Sequence, residues 1–317
     1  ALVGSVGRAA DRLRPGGVMT AVAPPPPRRI RLGMPHLDAG GLSEAWLFRH
    51  AGDLHWDAIS QRLGVASDDI RGDDRQRLYP TVVALRARYT APLSAAREND
   101  LFDGSVEMVP CGGACAHGRI SAAVGGNRLS VDLVTTFAAR QPDGSMRMAL
   151  PAARLAALWQ PGSAPSRLAL LARAARRRQP LDDAFAGPSL DPPGPALGRV
   201  RHQPSPYADY NGARLLYFAT YPTIADTAER QVVTALGLVS RRTDWALAVS
   251  PIARDVFYYG NLPLGDGLLV DVLAFDLTDD GVKTRVRLRR MRDRVPIADV
   301  ITRRVFVDVG HGSGGSP

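Results

Sequence analysis

Two stretches of the chain share one pattern of side chains. Gly41-Leu42-Ser43-Glu44-Ala45-Trp46-Leu47-Phe48 and Asn211-Gly212-Ala213-Arg214-Leu215-Leu216-Tyr217-Phe218 each open with small or capping residues and then become apolar on every side. Small and capping residues before an apolar run mark a helix N-terminus. A helix lying on a surface needs only an apolar stripe, so one that is apolar all round must be enclosed. The pattern predicts two buried helices, near 41–51 and 211–221. Each is followed by a polar spacer and a strand-like run, Leu78 to Leu85 in the first half and Trp245 to Ile252 in the second.

Downstream the period changes to two. Leu268 to Phe275 leads through Thr278-Asp279-Asp280-Gly281 into Val282 to Arg290, where charged and apolar residues alternate. Such alternation about an Asp-Gly turn is a hairpin signal. The β-branched run Val300 to Val307 fits a closing strand. The first half repeats these events with Ser105 to Val109, Gly118 to Val124, the turn Gly125-Gly126-Asn127, and Leu129 to Phe137. A long buried helix followed by an antiparallel meander is the plan of the hotdog fold. Two copies in one chain predict an α+β double hotdog, each repeat an antiparallel sheet wrapped around a buried helix. A β-sandwich with stray helices is the rival architecture, and it does not account for a repeated enclosed helix ahead of each meander.

With 317 residues, 45% of them apolar, the chain can fill two cores of ordinary size. The expected organisation is a flexible Pro/Arg-rich arm over 1–29, a first repeat over 30–150, a connector over 151–206, a second repeat over 207–309 and a Gly/Ser-rich tail over 310–317. The connector carries a helical piece, Pro165 to Arg178, between Pro/Gly-rich flanks, and is expected to span the surface rather than form a third core. No run reaches eighteen apolar residues, so no membrane span is expected. The arm does not read as a signal peptide, and a cytoplasmic location is expected.

Cys111 and Cys115 have the spacing of a redox pair or half a metal site, but there is no second pair and His117 is the one histidine nearby. A four-ligand zinc site cannot be assembled from them, and two reduced thiols in a glycine-rich connection are expected. The formal charge is +9, and Lys283 is the sole lysine among 40 basic residues. Aromatics are only 6% and do not interleave with the arginines, which argues against nucleic acid. An acidic protein or the phosphates of an acyl-CoA suit the charge better. Dinucleotide, phosphate-loop and zinc-protease motifs are absent from the sequence.

The text from Met34-Pro35-His36-Leu37-Asp38 through Gly41-Leu42-Ser43-Glu44 to Leu47, with Gly52-Asp53-Leu54-His55-Trp56, resembles the leinamycin-type bifunctional acyltransferase/decarboxylases of polyketide biosynthesis. Asn211 to Pro222 and Tyr258-Tyr259-Gly260-Asn261 look like that family's second repeat, and the resemblance spans roughly 30–307. It implies a double hotdog that takes methylmalonyl from coenzyme A, releases CO2 and delivers propionyl to an acidic acyl carrier protein, with no cofactor beyond the thioester substrate. It implies Tyr79 as acyl acceptor. On strand parity Tyr79 is expected to share the helix-facing side with Thr81, Val83 and Leu85. Its phenol, near pKa 10 when free, would need Arg75, Arg77 or the helix start around Gly41 to activate it.

Other residues carry two readings each. Asp209 and Asn211, followed by Gly212, resemble the Asp-x-Asn pattern that opens the helix in hotdog thioesterases, and serve equally as N-caps. His36 and His55 can shuttle protons, though His55 beside Trp56 reads more readily as structural. Ser43 and Glu44 can act at a site, while a glutamate in a first turn is also expected from the helix dipole. Thr81 joins them as a candidate for binding substrate, and Asn261 reads as a turn residue. The rival activity is a hotdog thioesterase or dehydratase with Asp209 or Glu44 as base, and the non-enzymatic rival is a hotdog that only binds acyl chains or a carrier. A homodimer is left open.

Overall fold

The computed structural model describes residues 27–109, 111–112, 115–141, 146–152, 164–239 and 245–307. The expectations for the arm before residue 27 and for the tail over 310–317 lie outside these residues. The first half runs β1 (Arg28–Arg31), a small hairpin of β2 (Leu37–Asp38) and β3 (Gly41–Leu42), α1 (Glu44–Leu63), then β4 (Leu78–Tyr89), β5 (Leu101–Val109), β6 (Cys115–Val124), β7 (Asn127–Arg140) and β8 (Met146–Met148). The connector holds α2 (Arg167–Arg176). The second half runs β9 (Gly198–His202), α3 (Thr220–Ala235), a single turn α4 (Trp245–Ala248), β10 (Val249–Tyr258), β11 (Leu268–Thr278), β12 (Gly281–Arg290) and β13 (Pro296–Phe306).

The strand order is β1-β5-β6-β7-β4-β10-β13-β12-β11-β9, with β8 beside β7. Read outward from the centre, both halves give the same order: the strand that follows the helix (β4, β10), then a three-stranded meander in reverse (β7-β6-β5, β13-β12-β11), then the leading strand (β1, β9). The halves join where β4 pairs antiparallel with β10, Leu85 opposite Val256, making one continuous eleven-stranded sheet. The chain is a double hotdog. The leading strands β1 and β9 were absent from the sequence reading, and Arg28 and Arg29, expected in the arm, begin β1.

The predicted hairpins close as expected, Thr278 facing Gly281 and Val124 facing Asn127. In the second of these, Gly125 and Gly126 adopt φ of 53° and 78°, the left-handed geometry a two-residue turn demands.

The second helix is displaced from its predicted position. Asn211 to Phe218 is not helical, because the Asn211 carboxamide oxygen accepts the N–H groups of Ala213 (3.0 Å) and Leu215 (3.1 Å) and Arg214 takes φ of 56°. A short side chain that binds nearby backbone competes with helix formation. The apolar run then packs as an irregular segment ahead of α3, which starts at Thr220. Likewise Trp245 to Ala248 form a helical turn and the strand begins at Val249.

Both helices lie on one face of the sheet in a shared apolar core. Leu47, Phe48, Leu54 and Ala58 of α1 meet Ile224, Ala225, Ala228 and Val232 of α3 over Val82, Leu85, Val256 and Val300. The opposite face is covered by the connector. Leu168, Leu171, Ala172 and Ala175 of α2, with Leu181, Ala186 and Leu190, close over Ala84, Val134, Phe257 and Ile301. The connector therefore builds an apolar layer of its own, a correction to the surface-spanning expectation. Cys111 and Cys115 belong to this layer and are joined in a disulfide, not held as the two free thiols expected.

The alternating charges of the strands form a transverse ladder on this outer face. Glu107 stands opposite Arg119, and Arg119 pairs with Asp132 (3.0 Å), which stands opposite Arg86. Arg86 pairs with Asp255 (2.6 Å) across the seam. Two residues along, Asp299 pairs with Arg287 (2.7 Å), Arg287 faces Asp271, and Asp271 takes Arg199 of β9. The connector completes the ladder through Arg178 to Asp299, Asp183 to Arg86 and Asp191 to Arg287.

Two strand arginines, Arg254 and Arg304, lie on the helix face instead. Arg254 of β10 is fully buried and binds Glu44 of α1 and Asp226 of α3. Removing one partner of a buried pair strands the others, at a cost of about 3–5 kcal/mol, whereas an exposed pair such as Arg303 with Asp280 is screened by water and contributes little. Urea unfolding of Arg254→Ala should show the large loss and of Arg303→Ala the small one; equal losses would contradict the assignment of Arg254 as the tie between repeats.

Candidate functional site

Each enclosed helix turns its N-terminus toward the seam between repeats. At α1, Ser43 is the N-cap, without a side-chain cap bond, and its N–H donates to the His36 carbonyl (3.0 Å). His36 closes a single 3-10 turn, its Nδ1 accepting from the Gly33 N–H (2.8 Å), and its ring meets Trp46 edge-on. Gly41 takes φ of 107°, and any side chain there would collide with the backbone of Leu93 and Ser94. This packing fixes the hairpin that aims the helix.

Glu44, the first residue of α1, reaches across the seam. Arg254 donates from Nε to Oε1 (3.2 Å) and from Nη2 to Oε2, and the Tyr89 hydroxyl donates to Oε1 (2.7 Å). Burial, reinforced by the Glu44 carboxylate, pushes the Tyr89 phenol well above its ordinary range, so it stays a neutral donor. Arg254 continues to Asp226 through Nη1 (3.0 Å) and Nη2 (2.9 Å) and to Thr302 (3.0 Å). Asp226 binds Arg304, which holds Glu229 (2.9 Å). Burial alone would raise the Asp226 carboxyl, but Arg254 and Arg304 outweigh it and keep it below the usual carboxylate range. Three carboxylates thus share two guanidiniums, and Asp226, with 37% of its side chain exposed, is the most open of the three.

At the second helix, the irregular segment before α3 packs on α1. Phe218 and the Tyr217 hydroxyl lie over Gly52, where a Cβ would meet them at 3.0 Å. Burial, then Asp53, pushes the Tyr217 phenol up to about 12. Tyr258 donates to the Phe218 carbonyl (3.0 Å), and Asn261, beyond the end of β10, accepts the Leu216 N–H (3.0 Å), so Asn261 holds this segment.

The sequence candidates fall into three places. Gly41, Ser43 and Glu44 meet at the α1 N-terminus, with His36 behind them. Asp209, Asn211 and Gly212 lie in the loop before α3 rather than opening a helix: Asp209 accepts the Ser205 N–H (2.7 Å), and Asn211 is occupied as described above. Tyr79 and Thr81 lie on the outer face. Val83 is an extra residue in the β4–β7 pairing, a bulge between Val82 and Ala84 that breaks the parity on which Tyr79 and Leu85 shared a side. Val82, Leu85, Ala87 and Tyr89 face the helices; Ala84, together with Val83, faces the connector. Tyr79, two register steps from Val83 on the same side as Thr81, sits with the Arg77 guanidinium 4.9 Å from its ring centre. Thr81 donates to the Tyr79 carbonyl (3.2 Å).

Sequence reasoning missed Arg254, Tyr89 and Asp226. The available signal was Arg254-Asp255, a charged pair inside the apolar strand from Val249 to Tyr258, since a charge there must find a partner. Among the described residues no group of side chains has the makings of a metal site, and no helix is long and apolar enough to cross a membrane.

Comparison with solved structures identifies the fold. The chain is similar to a putative oleoyl thioesterase from Lactobacillus plantarum, with a TM-score of 0.62 and 14% identity over 89% of this chain and 96% of that one. It is also similar to the 12:0-ACP thioesterase from Umbellularia californica, with a TM-score of 0.59 and 8% identity over 89% and 94%. A third likeness is to an acyl-ACP thioesterase from Bacteroides thetaiotaomicron, with a TM-score of 0.52 and 10% identity over 89% and 97%. No protein family matches by sequence, and no curated protein matches either.

His55, in the middle of α1, provides a test of how tightly this core is sealed. It is wholly buried, with Nε2 3.1 Å from the Thr135 hydroxyl, and burial followed by the proximity of His117 pushes its imidazole down to about 3. Its ordinary value is about 6.5, so between those values the unfolded chain takes up a proton that the folded chain refuses. Its contribution is complete above about pH 6.5 and is lost as pH falls toward 3, on the order of 5 kcal/mol in all. Stability measured across this range should fall less steeply in His55→Gln than in the native chain, and identical slopes would show that His55 is not sealed from water.

Proposed function

We propose that the chain is an acyl-thioester-processing enzyme acting on acyl groups carried by coenzyme A or an acyl carrier protein, with hydrolysis as the favoured reaction. The observation that carries this reading is the Glu44 carboxylate at the N-terminus of an enclosed helix, facing the seam between two hotdog repeats. First-turn N–H groups there suit the oxygen of a thioester carbonyl as it gains charge. Glu44 is the base that draws a proton from the attacking water, Arg254 and Tyr89 hold its carboxylate in place, and the thiol carrier leaves. The likeness of both repeats together to the proteins named above as acyl-ACP thioesterases supports the same substrate class.

The second reading, transfer of methylmalonyl to Tyr79 with loss of CO2 and delivery of propionyl to a carrier protein, is favoured by the sequence around His36 to Leu47 and Asn211 to Pro222. It requires the acyl group to reach the outer face of β4. The two readings separate in one assay. The pure protein is given a panel of acyl-CoA and acyl-carrier thioesters, including methylmalonyl-CoA, while free thiol and CO2 are followed. Hydrolysis should fall by about 10²-fold or more in Glu44→Gln, with folding checked by circular dichroism, and should persist in Tyr79→Phe. Release of CO2 with propionyl transfer that Tyr79→Phe abolishes would overturn the hydrolytic reading.

A further inference from the structure

The ladder of charges on the outer face ends differently in the two repeats. In the first, Glu107 of β5 is the last rung, since β1 pairs only with residues 101–104. In the second, β9 adds Arg199 beyond Asp271. Asp271 is 2% exposed; its Oδ1 accepts from Arg199 Nε (2.5 Å) and its Oδ2 from Arg289 Nε (2.9 Å). Held by Nε, the two guanidiniums keep their terminal nitrogens for other partners. Among the described residues, Arg199 donates from neither Nη group, and Arg289 gives only a long bond (3.4 Å) from Nη1 to the Arg294 carbonyl. Both border a cleft of about 210 Å³ that Asp191, Asp271 and Arg287 also line. Arg287 is already engaged with Asp299, Asp191 and the Leu190 carbonyl, so its charge is matched and the donors facing the cleft come mainly from Arg199 and Arg289.

Three arginines therefore face two aspartates, and a buried carboxylate orients two of them. Clefts that take a whole cofactor or drug-sized ligand measure roughly 300–1,000 Å³; this one is too small for that and suits a single charged group. Guanidinium forks with free terminal N–H groups match the oxygens of phosphate. We propose that the cleft between the connector (Asp191 to Ala196) and β9, β11 and β12 binds a phosphate or diphosphate group. That group can be a free anion or the nucleotide end of coenzyme A, and only the second source rests on the proposed function.

The test is calorimetric titration of the full chain at low salt with pyrophosphate, coenzyme A and pantetheine, using the native protein, Arg199→Gln and, away from the cleft, Arg303→Gln. Pyrophosphate should bind the native chain and Arg303→Gln alike and Arg199→Gln roughly tenfold or more weakly. Coenzyme A binding that exceeds pantetheine binding and also depends on Arg199 assigns the nucleotide end; dependence on Arg199 for pyrophosphate alone assigns the free anion. Equal binding of pyrophosphate by native chain and Arg199→Gln, or none at millimolar concentration, would overturn the site. Hydrolysis of acyl-pantetheine, which carries no phosphate, tests the proposed function independently of this cleft.

Discussion

Arg254 is the constraint on which the arrangement of the two repeats rests. A guanidinium with no exposure must be matched on every side, and its partners come from three elements: Glu44 at the start of α1, Asp226 on α3 and Thr302 on β13. The second repeat supplies Asp226 and Thr302 to its Nη groups, and the first supplies Glu44 to Nε and Nη2. Apolar packing would let two helices slide along a shared sheet, but this set of bonds fixes where the α1 N-terminus meets the second repeat. The seam that the proposed chemistry uses is thus set by the same side chain that joins the halves.

The outer face answers a related problem. A sheet of eleven strands offers two faces, and only one carries the enclosed helices. The other is closed by the connector, which brings apolar side chains for Ala84, Phe257 and Ile301 and charges for Arg86, Arg287 and Asp299. Asp255 and Asp299 are both fully buried, so the connector is part of the folded unit. Where the ladder runs out at β9, arginine is left in excess, and the proposed anion cleft lies there.

The sequence made the meanders legible because period-two alternation and tight turns are local signals. Thr278 to Gly281 and Gly125-Gly126 sat where a hairpin needed them. The first helix was legible for the same reason. The second was misplaced because apolarity at Leu215 to Phe218 reports burial, not conformation, and a carboxamide at Asn211 was enough to hold the segment out of a helix. Tyr79 was assigned to the wrong face because parity counting cannot see a bulge, and the extra residue at Val83 inverts everything before it relative to everything after. The ion network was invisible in sequence, since Glu44 and Arg254 are 210 positions apart and nothing local links them. The disulfide was missed on expected redox compartment, a property that two cysteines four residues apart do not report.

The most direct test of where the acyl group is handled is hydrogen–deuterium exchange with a non-hydrolysable acyl-CoA thioether bound. The account predicts slowed exchange at the α1 N-terminus, residues 41–47, and in the facing segment 217–223. Slowing confined to the outer-face strand around Tyr79 to Val83, with the α1 N-terminus unchanged, would contradict it.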